Sequence, residues 1–202
     1  MSGSLFIISS PSGGGKGTLI REVLKIVPNV GYSVSFTTRE PRADEKQGRN
    51  YFFVSIEEFE SMRESGAFLE WAQVHGNFYG TAFAQVENEI KNGRDVILEI
   101  DVQGAESVKS LVSDAIGIFI MPPSYAALSE RLEKRGSENS ADLVLRLRNA
   151  RTEVARYNEF DYIIINDEVN RAANQLAAIF LAERARRARM ESEIKTVLET
   201  FN

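Results

Sequence analysis

The sequence predicts an α/β fold in which a parallel β-sheet is covered by helices on both faces. Short, continuously apolar runs at residues 5–8 and 96–100 are typical of strands that are buried on both sides of a sheet. Segments with the apolar periodicity of helices alternate with these runs along the chain, as they do in parallel sheets. Two polar stretches, 32–81 and 136–141, interrupt the alternation and are therefore predicted to be insertions.

The elements of this sheet follow one another from the N-terminus. The first strand, residues 5–8, leads through a glycine-rich loop into a helix that ends before Pro28. Pro122 ends a later strand and precedes the next helix. Further helices are predicted at 86–92, from about 104, at 125–134, after residue 140 to about 158, and from about 169. Further strands are predicted at 96–100, 116–121 and 162–165.

The first insertion has the pattern of a small α+β unit. Alternating apolar residues at 34–36, 51–54 and 68–74 predict short, mostly antiparallel strands. Ser55 and Glu58 have the spacing of a capping box, which predicts that a helix begins after Ser55. We therefore predict one compact unit, with a core formed by residues 1–31 and 82–202 and an insert formed by residues 32–81.

The composition excludes several classes of protein. The 202 residues include no cysteine, which excludes a disulfide framework, a thiolate metal site and cysteine nucleophiles. The formal net charge of -5 argues against a nucleic-acid-binding protein. The apolar run at residues 5–8 is too short for a signal peptide or a membrane span, so we expect a cytoplasmic protein without a membrane partner.

The loop between the first strand and the first helix has the features of a phosphate-binding loop. Its sequence, SPSGGGKGT at residues 10–18, places three glycines before Lys16. Glycine lets backbone N–H groups point at phosphate oxygens, and the helix N-terminus and Lys16 add positive charge. Ser10 and Gly17 depart from the usual pattern, which has glycine and a hydroxyl residue there. The predicted phosphate ligands are Ser12, Gly13, Gly14, Gly15, Lys16, Gly17 and Thr18.

The alternative interpretation of this loop is a glycine-rich turn that contains a lysine by chance. The flanking strand and helix favour the phosphate loop. Because Gly17 stands where a Mg²⁺-binding hydroxyl is expected, Thr18 or a water molecule is the predicted oxygen ligand of the metal.

The insert contains residues suited to a phosphate monoester. Arg39 and Arg42 lie three residues apart, and the planar guanidinium group matches phosphate oxygens through paired hydrogen bonds. Tyr51 and Tyr79 follow in positions that could present their hydroxyl groups. The alternatives are that the tyrosines only pack and that the arginines are solvated.

Taken with the phosphate loop, several segments resemble the guanylate kinase family in order and spacing. The resemblance extends from about residue 5 to about residue 182. It implies an ATP-dependent transfer of phosphate to GMP, and it makes the loop at 136–141 a lid over ATP. The segments are 33–42, 48–51, 70–72, 76–81, 98–104 and 131–136.

The resemblance also implies a set of roles. Glu70 accepts hydrogen bonds from guanine, Ser35 contacts O6 and Thr81 lies close to the base. Arg39, Arg42, Tyr51 and Tyr79 hold the GMP phosphate. Glu99 and Asp101, at the end of a strand, contact substrate or the water molecules around Mg²⁺.

The transfer itself requires positive charge rather than a strong base, because the acceptor is already an anion. Together with Lys16, the resemblance makes Arg42, Arg135 and Arg146 the predicted catalytic residues. Arg131, Arg135 and Asn166 are expected to bind ATP, and Asp167 lies beside them. Arg148 lies next to this set, and His75 is expected to pack or to face solvent.

Two other functions remain open at this point. A catalytically dead domain of this family could serve as a scaffold that binds phosphorylated ligands, or the enzyme could phosphorylate another small acceptor. Glu70 and Ser35 favour guanine. The arginine-rich segment at 184–189 is expected to be a helix that is solvated or that contacts a second copy of the chain.

Overall fold

The computed structural model describes residues 3–42, 45–74, 76–134 and 140–201, and it contains two sheets. The strands are β1 Leu5–Ser9, β2 Val30–Tyr32, β3 Phe36–Thr37, β4 Phe52–Phe53, β5 Phe68–Val74, β6 Asn77–Ala82, β7 Asp95–Glu99, β8 Ile116–Met121 and β9 Tyr162–Ile165. The helices are α1 Lys16–Ile26, α2 Ile56–Glu64, α3 Phe83–Lys91, α4 Val102–Leu111, α5 Tyr125–Lys134, α6 Ser140–Ala155, α7 Val169–Arg184 and α8 Glu191–Glu199.

The larger sheet has five parallel strands in the order β2-β7-β1-β8-β9. Its central strand β1 is buried on both faces. Phe6 and Ile8 pack in one apolar cluster with α1 and α7, whereas Leu5 and Ile7 pack in a second cluster with residues of α3 and α4. The predicted fold class, a parallel sheet with helices on both faces, is confirmed.

All five strands of the larger sheet end at the same edge of the sheet. Because all five strands run in the same direction, the segments that follow them leave from the same side of the sheet. The glycine-rich loop follows β1, Ile100 and Asp101 follow β7, and Asn166 follows β9. Residues far apart in the chain therefore meet at this edge.

The second sheet has four strands in the order β4-β3-β6-β5. Two of its three pairings are antiparallel, and β3 pairs with β4 in parallel. Ser55 Oγ accepts a 3.1 Å hydrogen bond from the Glu58 amide and caps α2, as predicted. The fully buried Phe59 then stacks between Phe68 and Phe78, which fastens α2 to the sheet.

Strand β6 is not among the predicted strands, because Gly80 and polar residues interrupt its apolar pattern. Gly80 is nevertheless required inside it. A Cβ atom at Gly80 would lie 2.9 Å from the Phe68 ring and 3.1 Å from the Phe59 ring, so a larger residue would displace the aromatic core of the insert.

The prediction of one arginine-rich helix at the C-terminus is wrong. Helix α7 ends at Arg184, a single 3-10 turn follows at Arg187–Arg189, and α8 begins at Glu191. Arg184 and Arg189 are not solvated charges, because both bind the buried carboxylate of Asp95 at the start of β7. No helix within the described ranges is long and apolar enough to cross a membrane.

Candidate active site

The glycine-rich loop after β1 is shaped by two residues with positive φ. Gly13 and Gly15 have φ values of 83° and 92°, which only glycine adopts without strain. The Gly14 amide donates a 2.8 Å hydrogen bond to the Pro11 carbonyl oxygen and closes the turn. Helix α1 begins at Lys16, so its free N–H groups point toward the loop. This geometry is that of an anion-binding loop.

The end of β9 supports this loop. Asn166 Nδ2 donates a 2.8 Å hydrogen bond to the Gly14 carbonyl oxygen, and Arg131 Nη2 donates one of 2.8 Å to the Asn166 carbonyl oxygen. Arg131 Nη1 and Asn166 Oδ1 are buried and have no hydrogen-bond partner within the described part of the chain. A buried donor and acceptor without partners are costly, so they mark a place for polar groups of a ligand.

Lys16 is held in place by residues at the C-terminal end of β7. Its Nζ donates a 3.1 Å hydrogen bond to the Ile100 carbonyl oxygen and lies 4.0 Å from Glu99 Oε1. Tyr32 Oη donates a 3.0 Å hydrogen bond to the other oxygen of Glu99. Burial and the neighbouring Glu99 raise the pKa of Tyr32 well above its usual range, so the phenol stays a donor at all physiological pH values.

One cleft of about 650 Å³ lies between the two sheets and joins this loop to the insert. It brings together predicted residues from both parts of the chain. Those that line it are Ser12, Lys16, Ser35, Tyr51, Glu70, Tyr79, Glu99, Asp101 and Arg146.

The insert side of the cleft contains a buried carboxylate. Glu70 is 9% exposed, and its Oε1 accepts a 2.6 Å hydrogen bond from Thr81 Oγ1. Burial raises the pKa of Glu70, the Thr81 hydrogen bond opposes this rise, and Asp101 adds to it. Thr81 itself is 1% exposed and lies behind Glu70. The pair offers one carboxylate oxygen for a ligand while the other is fixed.

Asp101 follows β7 and lines the cleft beside the insert. Its Oδ1 accepts a 2.8 Å hydrogen bond from the Gly104 amide and caps α4. A Cβ atom at Gly104 would lie 3.2 Å from Glu70 Oε2 and 3.3 Å from Asp101 Oδ1. Gly104 therefore lets both carboxylates approach the start of α4.

The two arginines of the insert do not line the cleft. Arg42 is exposed, and Arg39 lies beside Tyr51, with its guanidinium carbon 5.5 Å from the ring centroid. Arg39 Nη2 donates to both carboxylate oxygens of Glu45, at 2.9 and 2.8 Å. Glu45 does not stand out in the sequence, because a glutamate in a polar loop resembles any solvated charge.

Glu153 is a second residue that the sequence analysis missed. It lines the cleft from α6, and its Oε2 accepts a 3.3 Å hydrogen bond from the Ser12 amide of the phosphate loop. Burial raises the pKa of Glu153, and Asp101 adds to the rise. Its position seven residues after Arg146, about two turns along the same face of α6, is the sequence feature that could have indicated it.

The other predicted residues have varied positions. Arg135, His75 and residues 136–139 of the lid lie outside the described residues. Thr18 Oγ1 accepts a 3.2 Å hydrogen bond from Arg21, and Gly17 lies close to Glu99. Asp167 pairs with Arg171 at the start of α7, and Arg148 is exposed.

The described residues contain no cluster of three or more acidic, histidine or cysteine side chains that could hold a metal ion by themselves. Mg²⁺ does not require such a cluster, because it keeps several water molecules and binds one or two protein oxygens together with substrate phosphates. The Thr18 hydroxyl and the Asp101 carboxylate are oxygen donors of this kind.

Comparisons with known proteins agree with this geometry. The family model described as guanylate kinase matches residues 2–183. The chain is 49% identical to the guanylate kinase of Thermotoga maritima, over 96% of this chain and 94% of the relative. It is 46% identical to that of Xylella fastidiosa, over 100% and 98%. The crystal structure of guanylate kinase from Anaplasma phagocytophilum matches with a TM-score of 0.77 and 34% identity, over 93% of this chain and 89% of that chain.

Proposed function

The chain belongs to the guanylate kinase family and acts as an ATP-dependent phosphotransferase, and we propose the following assignment of its residues to the transfer of phosphate from ATP to GMP. The observation that supports it best is that one cleft is lined both by Lys16 of the phosphate loop and by the buried carboxylate of Glu70. A phosphate donor and an acceptor nucleotide can therefore occupy the same cavity.

ATP occupies the edge of the sheet. The amide groups of the loop at 12–18 and Lys16 surround its β- and γ-phosphates. Arg131 Nη1 and Asn166 Oδ1, which lack partners within the described ranges, supply a donor and an acceptor for ATP on this side. Asn166 also keeps the loop in shape through Gly14.

GMP occupies the insert side, and Glu70 reads its base. Guanine presents two N–H donors at N1 and at the exocyclic amine, which match a carboxylate, and Ser35 serves O6. Adenine presents an acceptor at N1 and would leave the second oxygen of this buried carboxylate without a donor, which costs about 1–3 kcal/mol or more. Thr81 fixes the orientation of Glu70 by occupying one of its oxygens.

The GMP phosphate is bound by Tyr51 and Tyr79, which line the cleft, and by Arg39 and Arg42 from outside its lining. Arg146 lines the cleft and, together with Lys16 and Arg135, neutralises charge on the transferred group. The attacking oxygen belongs to a phosphate anion, so no side chain has to remove a proton from it. Residues 32–81 form the acceptor-binding unit and 136–141 the lid.

When bound, Mg²⁺ would supply positive charge beside the phosphates of ATP and so reduce the charge that the protein must neutralise. Thr18 and Asp101 would hold it, directly or through water. Glu99 lies between Lys16 and Tyr32. Its role is therefore to keep Lys16 in place, and Lys16 itself contacts the phosphates of ATP.

The assignment is tested by measuring ADP formation from ATP and Mg²⁺ with GMP, AMP, UMP and CMP as acceptors. Wild type is compared with Glu70→Gln, which keeps the size of the side chain and the oxygen that accepts from Thr81. We expect turnover with GMP alone, and a loss of about 100-fold or more in kcat/KM for GMP in the variant.

Other outcomes would change the assignment. Equal turnover of another acceptor would keep the phosphotransferase and refute the role of Glu70. GMP binding without turnover by folded wild-type protein would favour a scaffold that binds phosphorylated ligands. The proposed ATP site argues against such a scaffold, because Lys16, Arg131 and Arg146 are all present there.

A further inference from the structure

The carboxylate of Glu45 holds together the arginine segment of the insert. It accepts two hydrogen bonds from Arg39 Nη2, at 2.9 and 2.8 Å, and a third from the Arg42 amide at 2.9 Å. The Glu45 amide in turn donates a 3.0 Å hydrogen bond to the Arg42 carbonyl oxygen. One side chain thus fixes the guanidinium of one arginine and the backbone of the other.

This contact is sheltered from solvent. The side chains of Arg39 and Glu45 are 17% and 16% exposed. Arg39 is further fixed by a 2.6 Å hydrogen bond from Nη1 to the Glu40 carbonyl oxygen and by the rings of Tyr51 and Phe53, whose centroids lie 5.5 and 5.8 Å from its guanidinium carbon. Paired hydrogen bonds between charged groups in such a place are strong and directional.

A carboxylate that binds a phosphate-binding arginine can act in two opposite ways. It can hold the arginine in the conformation that binds phosphate, or it can occupy the donors that phosphate needs. The second effect would make Glu45 a competitor of the acceptor. The two alternatives predict opposite signs for the effect of removing its charge.

The geometry favours the first alternative. Tyr51 and Tyr79 line the cleft, whereas Glu45 does not. Arg39 therefore contacts one residue that lines the cleft, Tyr51, and one that does not, Glu45. A guanidinium group has five N–H donors, and the three contacts above leave others to face the tyrosines. Glu45 can therefore hold the guanidinium group without lining the cleft itself.

We propose that Glu45 is a positioning residue for the acceptor phosphate: it orients Arg39 and the backbone at Arg42 toward the cleft before GMP binds. The inference rests on the proposed function, since it names what prepares the phosphate-binding half of that site. It requires no contact between Glu45 and the substrate. The benefit is preorganisation, because ordering a free arginine on binding would reduce the affinity.

The test compares Glu45→Gln with Glu40→Gln. Glutamine at 45 removes the charge and turns an N–H group toward Arg39. Glutamine at 40 removes the same charge from an exposed side chain, because only the backbone oxygen of Glu40 contacts Arg39. Loss of negative charge near a phosphate site would by itself strengthen binding of an anion, so a weakening in Glu45→Gln cannot be a simple charge effect.

Steady-state kinetics on the full chain gives KM for GMP and for ATP, and guanosine is used as a competitive inhibitor that lacks the phosphate. For Glu45→Gln we expect KM for GMP to rise about 10-fold or more, as for loss of a charge-assisted hydrogen bond. KM for ATP, the inhibition constant of guanosine and all constants of Glu40→Gln should stay within about 2-fold.

An unchanged or lowered KM for GMP in Glu45→Gln would overturn the inference, and a lowered value would identify Glu45 as a competitor. An equal weakening of guanosine would also overturn it, since that would indicate general damage to the insert. If Glu45→Gln does not fold, Glu45→Asp replaces it, and its shorter reach should give a smaller rise for GMP alone. A wild type that does not use GMP would refute the proposed function itself, before any variant is compared.

Discussion

Asn166 Nδ2 and the Gly14 carbonyl oxygen form a buried 2.8 Å hydrogen bond between residues 152 positions apart in the chain. The bond joins the last strand of the parallel sheet to the phosphate loop after the first strand. Gly15 lies directly against it, with a φ of 92°. The shape of the loop therefore depends on a residue that a local sequence motif does not include.

Replacing Gly15 by alanine should break this connection. An added Cβ would lie 2.2 Å from Asn166 Nδ2, so the asparagine must move and lose its bond. We expect KM for ATP to rise about 10-fold or more, and the free energy of unfolding to fall by about 2–4 kcal/mol from strain and the lost bond. Kinetics with ATP varied and urea denaturation measure the two effects.

Gly66→Ala is the matched control for this prediction. Gly66 also has a positive φ, 69°, but nothing lies within 4 Å of the position that its Cβ would take. It should lose only about 1 kcal/mol, from backbone strain, and keep its KM for ATP. If both variants behave alike, the contact with Asn166 has no role in shaping the loop.

Glu70, which we propose to bind guanine, should lower the stability of the folded protein through its buried charge. Burial raises its pKa in the folded protein, so folding favours the protonated form. The stabilising contribution of this group is complete below the pKa of an unfolded glutamate, about 4.3, and is lost as the pH rises through the higher pKa of the folded state. We expect Glu70→Gln, which cannot ionise, to have a higher Tm than wild type at pH 8.

The pH series separates this effect from ordinary packing. The difference in Tm between Glu70→Gln and wild type should grow from pH 4 to pH 8 and should be accompanied by loss of GMP turnover at pH 8. Glu64→Gln, at an exposed position at the end of α2, should show no such trend. A difference that does not depend on pH would contradict the assigned burial of the charge.

The sequence was sufficient where a physical effect is local. Continuous apolar runs fix a strand that is buried on both faces, and the spacing of Ser55 and Glu58 marks the start of α2. The glycines before Lys16 indicate an anion-binding turn, because the positive φ that such a turn needs is also a local property of the chain. The resemblance to a known family then added Glu70 and Thr81, which the structure brings into contact.

Sequence analysis was insufficient for charges whose partners are distant. Asp95 binds arginines that follow it by 89 and 94 positions, and Glu153 meets the phosphate loop across 141 positions. In a sequence such residues look like solvated charges on helices and loops. Only the fold reveals which of them are buried, so these contacts could not be predicted from spacing.

Tyr32 is predicted to act on the ATP site through Glu99. Its hydroxyl holds Glu99 Oε2, while Oε1 lies 4.0 Å from Lys16 Nζ. In Tyr32→Phe the released carboxylate should move closer to Lys16 and compete with the phosphates of ATP. We expect KM for ATP to rise about 3–10-fold, with a loss of stability of about 1 kcal/mol.

The exposed Tyr157, in the 3-10 turn after α6, provides the control. Tyr157→Phe should change neither KM for ATP nor stability. An unchanged KM in Tyr32→Phe would show that Lys16 is held by the Ile100 carbonyl oxygen alone, with which it forms a 3.1 Å hydrogen bond.

The buried carboxylate of Asp95 fastens both ends of the chain to the sheet. Its Oδ1 accepts hydrogen bonds from the Ser4 amide at 2.8 Å and from Arg189 Nη2 at 3.2 Å, and its Oδ2 accepts one of 2.8 Å from Arg184 Nε. Asp95 is 2% exposed, so two arginines balance a charge that solvent barely reaches. Arg189 lies beyond the region that matches the family model, which ends at residue 183.

Arg189→Gln should therefore lower the free energy of unfolding by about 1–3 kcal/mol, because a buried carboxylate loses one of its charged partners. The control is Arg187→Gln, which removes the same charge from an exposed residue of the same 3-10 turn and should change stability by less than about 0.5 kcal/mol. Urea denaturation at low and high salt measures both. The cleft lies elsewhere, so KM for GMP and ATP should stay constant in both variants. Equal stabilities would mean that Arg184 alone balances Asp95 and that the segment after α7 adds nothing to the fold.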